Sequence, residues 1–343
     1  MSVTLVTSPA FADHLTPPGH PERVERFEVM RAVARELERD GVPVVEPRPA
    51  TREQLAANHD EAHIARIEET AGHAVALDPD TFTSPRTWEV ACLAAGAAVH
   101  AVDLVLDGGT GTRAMALVRP PGHHAEYDRA MGFCFFNNIA VAARHAASRG
   151  LARVAIVDYD VHHGNGTEHA FQEDASVLFI SSHQYPYYPG TGAAGDVGIG
   201  AGLGYTVNLP LAAGATDADY LFAYQRVALP ILEQFGPELI LLSAGFDAHE
   251  DDPLAGMRVT ASGFGRLTAA IARVADRCCQ GRLVAVTEGG YDLAGLAASL
   301  RASIGALRTG TADEHGSSAE TPAPRGEAVA RAVRPHLAPY WQL

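Results

Sequence analysis

The chain is poor in cysteine: Cys92, Cys134, Cys278 and Cys279 are the only four in 343 residues, and no two have C-x-x-C spacing. All lie in helix-like or apolar contexts and read as small buried side chains. That argues against a disulfide frame and for a reducing, cytoplasmic setting. Basic residues are also short, with 26 Lys and Arg against 41 Asp and Glu and a net charge of −15. That argues against nucleic acid as a direct ligand, because phosphate binding needs clustered cations. A negative field favours cationic partners such as basic peptides or polyamines, although solubility alone would also account for it. No uninterrupted apolar run reaches the roughly 18–20 residues that span a bilayer. The first residues, MSVTLVTSPAFADH, have no basic stretch ahead of their apolar positions, so they read as a first strand and not as a signal peptide. No internal repeat is evident. With 47% hydrophobic and 20% charged residues, the composition fits an ordinary α/β domain.

Five segments share one design, a short apolar run followed by polar residues and glycine: RAMALVRPPGHHA (113–125), RVAIVDYDVHHG (153–164), SVLFISSHQ (176–184), ELILLSAGFDAH (238–249) and RLVAVTEGGYDL (282–293). None of the apolar runs alternates, which predicts strands buried on both faces. Stretches rich in Ala, Leu and Arg lie between them (86–107, 137–149, 217–235 and 262–280) and predict helices. Strand and helix in alternation imply a parallel sheet covered on both sides. Ligands of such sheets bind beyond the carboxyl ends of the strands, so five polar loops should converge. Residues 1–308 are expected to form the main domain. Residues 309–325, TGTADEHGSSAETPAPR, read as a flexible connector, and 326–343 as a segment that docks back on the body.

The segment IVDYDVHHGNG packs two aspartates and two histidines into six residues. Asp160 and His162 are two apart and can face the same side at a strand end. Asp158 shares their parity. Asp247, in SAGFDAH, ends another buried run. Taken alone, a D-x-H pair reads as a surface loop or a cap. Asp160, His162 and Asp247 together offer three N/O ligands with room for water, the pattern of a catalytic zinc site; without a thiolate, iron(II) or another divalent ion also fits. His123 and His124 in RPPGHHA are candidate acid/base groups, since imidazole titrates near neutrality. Tyr291 follows two glycines in EGGYDL, where a tight loop can aim its phenol inward as an oxyanion donor.

These residues resemble the histone deacetylase superfamily: RPPGHHA, GFCFFNN, VDYDVHHGNGT, SAGFDAHEDDPLAG and EGGYDL, with GHPERVERF near the start and PYW near the end. HHGNGT and GFCFFNN are similar to its class II branch, the group with bacterial deacetylase-like and acetylpolyamine amidohydrolases. The resemblance covers about residues 3–340 outside the connector. It implies the arginase/deacetylase α/β fold, a single domain with a central, mostly parallel sheet of about eight strands flanked by helices. It implies Asp160, His162 and Asp247 as zinc ligands, His124 as general base, and His123 beside it, paired with Asp158. Asn165 stands where class I members carry an aspartate, and should leave His124 less basic. Tyr291 would polarise the substrate carbonyl. Phe133, Tyr188 and Gly132 would wall an acyl-lysine tunnel, with Leu254 at its entrance, and Arg26 would lie near an internal acetate channel. Oxygens of Asp158, Asp160, His162, Ser181 and Ser182 would hold a structural potassium ion.

The implied function is metal-dependent hydrolysis of acetyl or related short acyl groups from the ε-amine of lysine, with metal-activated water, on a protein or peptide. An acetylpolyamine deacetylase of the same fold is the alternative. Leu254 occupies the position where the polyamine-selective eukaryotic relative has glutamate, which leans toward acyl-lysine. An inactive acyl-lysine binder would have lost a ligand or the tyrosine, and all are present. An arginase-type ureohydrolase would need further aspartates for a second metal, which are not evident. Oligomerisation stays open.

Overall fold

The computed structural model describes residues 1–311 and 321–343. One sheet contains β1 (Ser2–Val6), β2 (Val44–Val45), β3 (Thr112–Ala116), β4 (Val154–Asp158), β5 (Val177–Gln184), β6 (Thr206–Leu211), β7 (Leu239–Ala244) and β8 (Leu283–Thr287). Their spatial order is β2-β1-β3-β8-β7-β4-β5-β6, and all pairings are parallel. Helices flank this sheet within a single α/β domain.

The five non-alternating apolar runs become β3, β8, β7, β4 and β5, the contiguous centre of the sheet. Every residue of β4, β5, β7 and β8 is buried. Both faces meet protein, which is why the runs do not alternate. Burial of side chains such as Ile156, Leu241 and Val284 stabilises the sheet by about 1.5–3 kcal/mol each. The edges escape a search for such runs. β2 has two half-buried residues. β6 reads TVNLPL, and its Pro210, which has no N–H for a ladder, is tolerated at an edge.

The chain passes from β3 to β4 over the places that β8 and β7 later fill. A crevice opens beyond the carboxyl ends at such a switch, and the loops after β3, β4, β7 and β8 all border it.

Three of the four expected helices are regular: Thr87–Asp107, Asn138–Ser148 and Ala261–Cys278. The other is split, with α-helical Asp217–Ala223 and Leu229–Phe235 joined by a π turn over Tyr224–Ala228. Pro230 has no N–H to return to the Arg226 carbonyl, so the ladder widens just ahead of it. The helix Thr87–Asp107 is long and apolar enough, by length and composition, to cross a membrane, although Glu89, His100 and Asp103 interrupt its apolar run. Most of it is buried inside the protein, with Ala94, Ala97, Ala98 and Ala101 in the main core. Small side chains let it approach β1, β3 and β8 closely.

The expected connector over 309–325 differs at both ends. The helix Leu293–Thr309 runs into it, and the helix Pro324–Leu337 starts inside it; residues 312–320 lie outside the described residues. Beyond it, Val329, Val333 and Leu337 are buried in the main core, and the Trp341 Nε1 donates to the Gly204 carbonyl at 2.7 Å.

Candidate active site

Asp158 is the last residue of β4, and the turn after it is built from carboxylates accepting backbone N–H groups. Asp158 Oδ1 accepts from Asp160 N (3.0 Å), and Asp160 Oδ1 accepts from His162 N (2.9 Å). Asp160 Oδ2 accepts from Gly289 N (2.8 Å), after β8, and Asp247 Oδ1 accepts from Val161 N (2.8 Å). The loops of three strands are thus tied together through the carboxylates themselves.

His162 Nδ1 lies 3.2 Å from Asp160 Oδ1 and 3.1 Å from Asp247 Oδ2. One donor atom from each of Asp160, His162 and Asp247 falls within 4.8 Å of the others. The carboxylates are buried, while 12% of the His162 side chain is exposed. Gly289 makes this convergence sterically feasible: a Cβ there would sit 2.1 Å from Asp247 Oδ2. Gly290 has φ +118°, which a side chain would strain. Burial and then repulsion by Asp160 push the Asp247 carboxyl up to about 7. A divalent cation would remove that cost. Two carboxylates and an imidazole, with no thiolate, suit such a cation with a coordination position left open.

His123 Nδ1 lies 2.9 Å from Asp158 Oδ2, and His124 Nδ1 lies 2.7 Å from Asn165 Oδ1. The two rings, 4.1 Å apart, are pushed in opposite directions. Burial opposes protonation of His123, but Asp160 and Asp158 outweigh it and raise the group to about 10. Burial, followed by the charges of His123 and His162, holds His124 well below the usual imidazole range. The surroundings thus favour a proton on His123 and a free lone pair on His124.

A slot of about 80 Å³ opens onto this centre. Gly132, Phe133, Tyr188, Leu254 and Tyr291 line it with His123, His124 and His162, and so does Asp80. Phe133 meets Tyr291 edge-on at 5.9 Å, and Tyr188 meets His124 edge-on at 5.2 Å. Phe133 has φ +68°, an uncommon conformation for a bulky residue, and it turns the ring into the wall. The Tyr291 hydroxyl has no hydrogen-bond partner among the described residues. Burial drives its pKa well above the usual phenol range despite the opposing Arg26, so it stays a donor.

Arg26 lies behind the slot, with its guanidinium 4.8 Å from the centroid of the Tyr291 ring. It donates to the carbonyls of Gly290 (2.7 Å) and Glu288 (2.5 Å) and to Glu22 (2.9 Å). Ser181 and Ser182 also lie outside the slot. Ser181 pairs with Asp158 in the sheet, and the Ser182 hydroxyl lies 3.4 Å from the Asp158 carbonyl.

Several groups escaped the sequence reading. His163, the second histidine of DVHHG, faces away, with Nδ1 2.7 Å from Thr191 Oγ1 and Nε2 3.0 Å from Glu168. Tyr187, next to the expected wall residue, stacks on His162 at 5.7 Å and donates to the Leu254 carbonyl (2.6 Å). Asp252 accepts from Tyr291 N (2.7 Å) and Leu254 N (2.9 Å), fixing two slot residues at once. Glu288 accepts from the N–H groups of Gly122 (2.7 Å) and His123 (3.2 Å), which seats the histidine pair. An acid directly after β8 was the one local signal for Glu288.

The family profile described as "Histone deacetylase domain" matches residues 20–307. A probable deacetylase of Archaeoglobus fulgidus is 38% identical over 298 residues, 86% of this chain and 83% of that protein. The polyamine deacetylase HDAC10 of Mus musculus is 43% identical over 266 residues, 73% of this chain and 39% of that longer protein. The crystal structure of the HDA15 HD domain aligns with a TM-score of 0.92 at 35% identity, over 99% of this chain and 95% of that one. With a matching profile, close relatives and the same fold, this chain belongs to the histone deacetylase family and is a deacetylase.

Proposed function

We propose that the chain is a zinc-dependent hydrolase that removes acetyl or related short acyl groups from the ε-amine of lysine. The observation that carries this reading is the convergence of a cation-binding triad, two oppositely biased imidazoles and an unpartnered phenol on one aromatic slot. Asp160, His162 and Asp247 would hold the metal, and the same donors would accept Fe²⁺. Such a cation polarises an amide carbonyl and acidifies a water molecule.

The chain's own groups supply the rest. His124, neutral and anchored through Nδ1 to Asn165, accepts the proton of the attacking water at Nε2. His123, held at 2.9 Å by Asp158 and biased toward its protonated form, lies beside the developing oxyanion. Tyr291 donates its hydroxyl to that oxyanion. A proton returned by the histidine pair lets the lysine amine leave. Phe133, Tyr188 and Gly132 flank the aliphatic stem, which needs no charge recognition because the acylated amine is neutral. Arg26 backs the phenol and would border an internal channel for acetate. Asp158, Asp160, His162, Ser181 and Ser182 would offer oxygens to a structural potassium ion beneath the site. The free cysteines support the expected reducing, cytoplasmic setting.

A second reading, an acetylpolyamine substrate, is favoured by one observation: the Asp80 carboxylate lines the slot and would attract a distal ammonium. Leu254 offers no charge at the entrance and weighs the other way. The test compares kcat/KM on an acetyl-lysine peptide with N-acetylspermidine and acetylputrescine, using metal-quantified protein. The peptide is expected to be preferred, with activity lost in chelator and restored by zinc. Preference for the polyamines would overturn the substrate assignment, and full turnover in chelator would overturn the metal.

A further inference from the structure

Asn165 begins the helix Asn165–Phe171, and His169 follows one turn later on the same face. Glu126, two residues beyond His124, reaches between them. Glu126 Oε1 accepts from Asn165 Nδ2, and its two oxygens lie 2.9 and 2.8 Å from His169 Nδ1. Glu126 and Asn165 are buried, whereas 44% of the His169 side chain is exposed. Burial opposes ionisation of Glu126, but hydrogen bonds from His169 and Asn165 outweigh it and keep the carboxyl below its usual range.

A carboxylate only accepts, whereas an amide has a donating and an accepting end that only its surroundings can orient. With Glu126 on one side, Asn165 must turn its NH₂ that way. The same NH₂ also meets the His124 carbonyl (3.3 Å) and the Met131 sulfur (3.6 Å). The amide oxygen is left 2.7 Å from His124 Nδ1. Two acceptors cannot share a hydrogen bond, so His124 carries its proton on Nδ1 and keeps its Nε2 lone pair for the slot. The reversed amide would donate to Nδ1 and move the ring proton to Nε2, where it would block proton abstraction. An aspartate at position 165 would need no such help.

We propose that Glu126 is a positioning residue that fixes the orientation of the Asn165 amide and, through it, the tautomer of His124. The inference rests on the deacetylase mechanism above. Its test is spectroscopic, so the two can fail separately. In zinc-loaded protein labelled with ¹⁵N-histidine, long-range ¹H–¹⁵N spectra report which ring nitrogen of His124 is protonated. Its signals are identified by their absence from His124→Phe. The wild type is expected as the Nδ1–H form. Glu126→Gln, whose amide can donate to a reversed Asn165, is expected to show mainly the Nε2–H form. Its kcat should fall at least about tenfold, a fraction of the 10²–10⁴ typical of a general base, with KM nearly unchanged.

Asn165→Asp places two buried carboxylates face to face and is expected to be impaired. Adding Glu126→Gln to it should restore activity, because the glutamine then donates to the new aspartate. A substitution that harms one background and rescues the other is not the signature of a merely structural contact. A wild-type His124 in the Nε2–H form would overturn the proposal even if every variant failed to fold. So would Glu126→Gln with an unchanged Nδ1–H signal. A wild type with that signal but inactive on every acylated amine would instead sink the deacetylase mechanism.

Discussion

Removing one oxygen from Tyr291 isolates the proposed oxyanion donor from everything else the residue does. The ring is held by the edge-on contact with Phe133 at 5.9 Å and by the Arg26 guanidinium 4.8 Å from its centroid. The backbone is held by Asp252 through the Tyr291 N–H at 2.7 Å. None of these contacts involves the hydroxyl, which has no protein partner among the described residues. Tyr291→Phe should therefore leave thermal stability within about 0.5 kcal/mol of wild type, as for substitutions that break no buried contact. The transition state loses one preorganised donor, worth about 2.7–4 kcal/mol, which is a fall in kcat of about 10²–10³. The assay is steady-state hydrolysis of an acetyl-lysine peptide, with elemental analysis and a melting curve on the same preparation. A variant with kcat within threefold of wild type, metal and melting curve unchanged, would show that the phenol does not meet the carbonyl oxygen.

Asp247→Ala removes one of three converging donors, and elemental analysis should find the divalent metal lost; full occupancy would contradict the ligand assignment. Leu254→Glu should raise the ratio of kcat/KM for N-acetylspermidine over an acetyl-lysine peptide about tenfold, the effect of roughly 1.4 kcal/mol from a new charge pair; an unchanged ratio would place the entrance elsewhere. Glu22 lies buried between Arg119 (2.6 Å) and Arg26 (2.9 Å). Glu22→Gln should destabilise by about 3–5 kcal/mol by leaving buried cations unbalanced, lowering the melting temperature by about 4–7 °C at roughly 0.7 kcal/mol/K for a chain of this size. Burial raises the Glu22 pKa, but Arg119 and then His14 and Arg26 outweigh it and hold it well below the usual range. A depressed carboxyl contributes stability above its unfolded pKa and loses it on acidification. The gap between wild type and Glu22→Gln should therefore narrow as pH falls below about 4.5; a gap constant to pH 3 would refute the linkage.

How legible each element was depended on its surroundings. β4, β5, β7 and β8 announced themselves because strands buried on both faces must be apolar at every position. β6 did not, because an edge tolerates Asn208 and Pro210. The Thr87–Asp107 helix satisfies the length and composition of a membrane span, and only its burial against the sheet shows the role it has here. Asp160 and His162 were readable from their spacing, and Asp247 from its place after a buried strand. Glu288, Asp252, Tyr187 and Glu126 were not singled out, since each acts through a partner distant in the chain.

The sequence alone determined the chemistry on offer: carboxylates and imidazoles set directly behind apolar strands, in motifs specific enough to identify the family. That information is local, and short-range spacing carries it. The arrangement in space set which of two adjacent histidines turns inward, which one is biased toward holding a proton, and which way an amide faces. Those choices depend on burial and on charges brought together from loops more than a hundred residues apart, as Gly289 N is brought to Asp160.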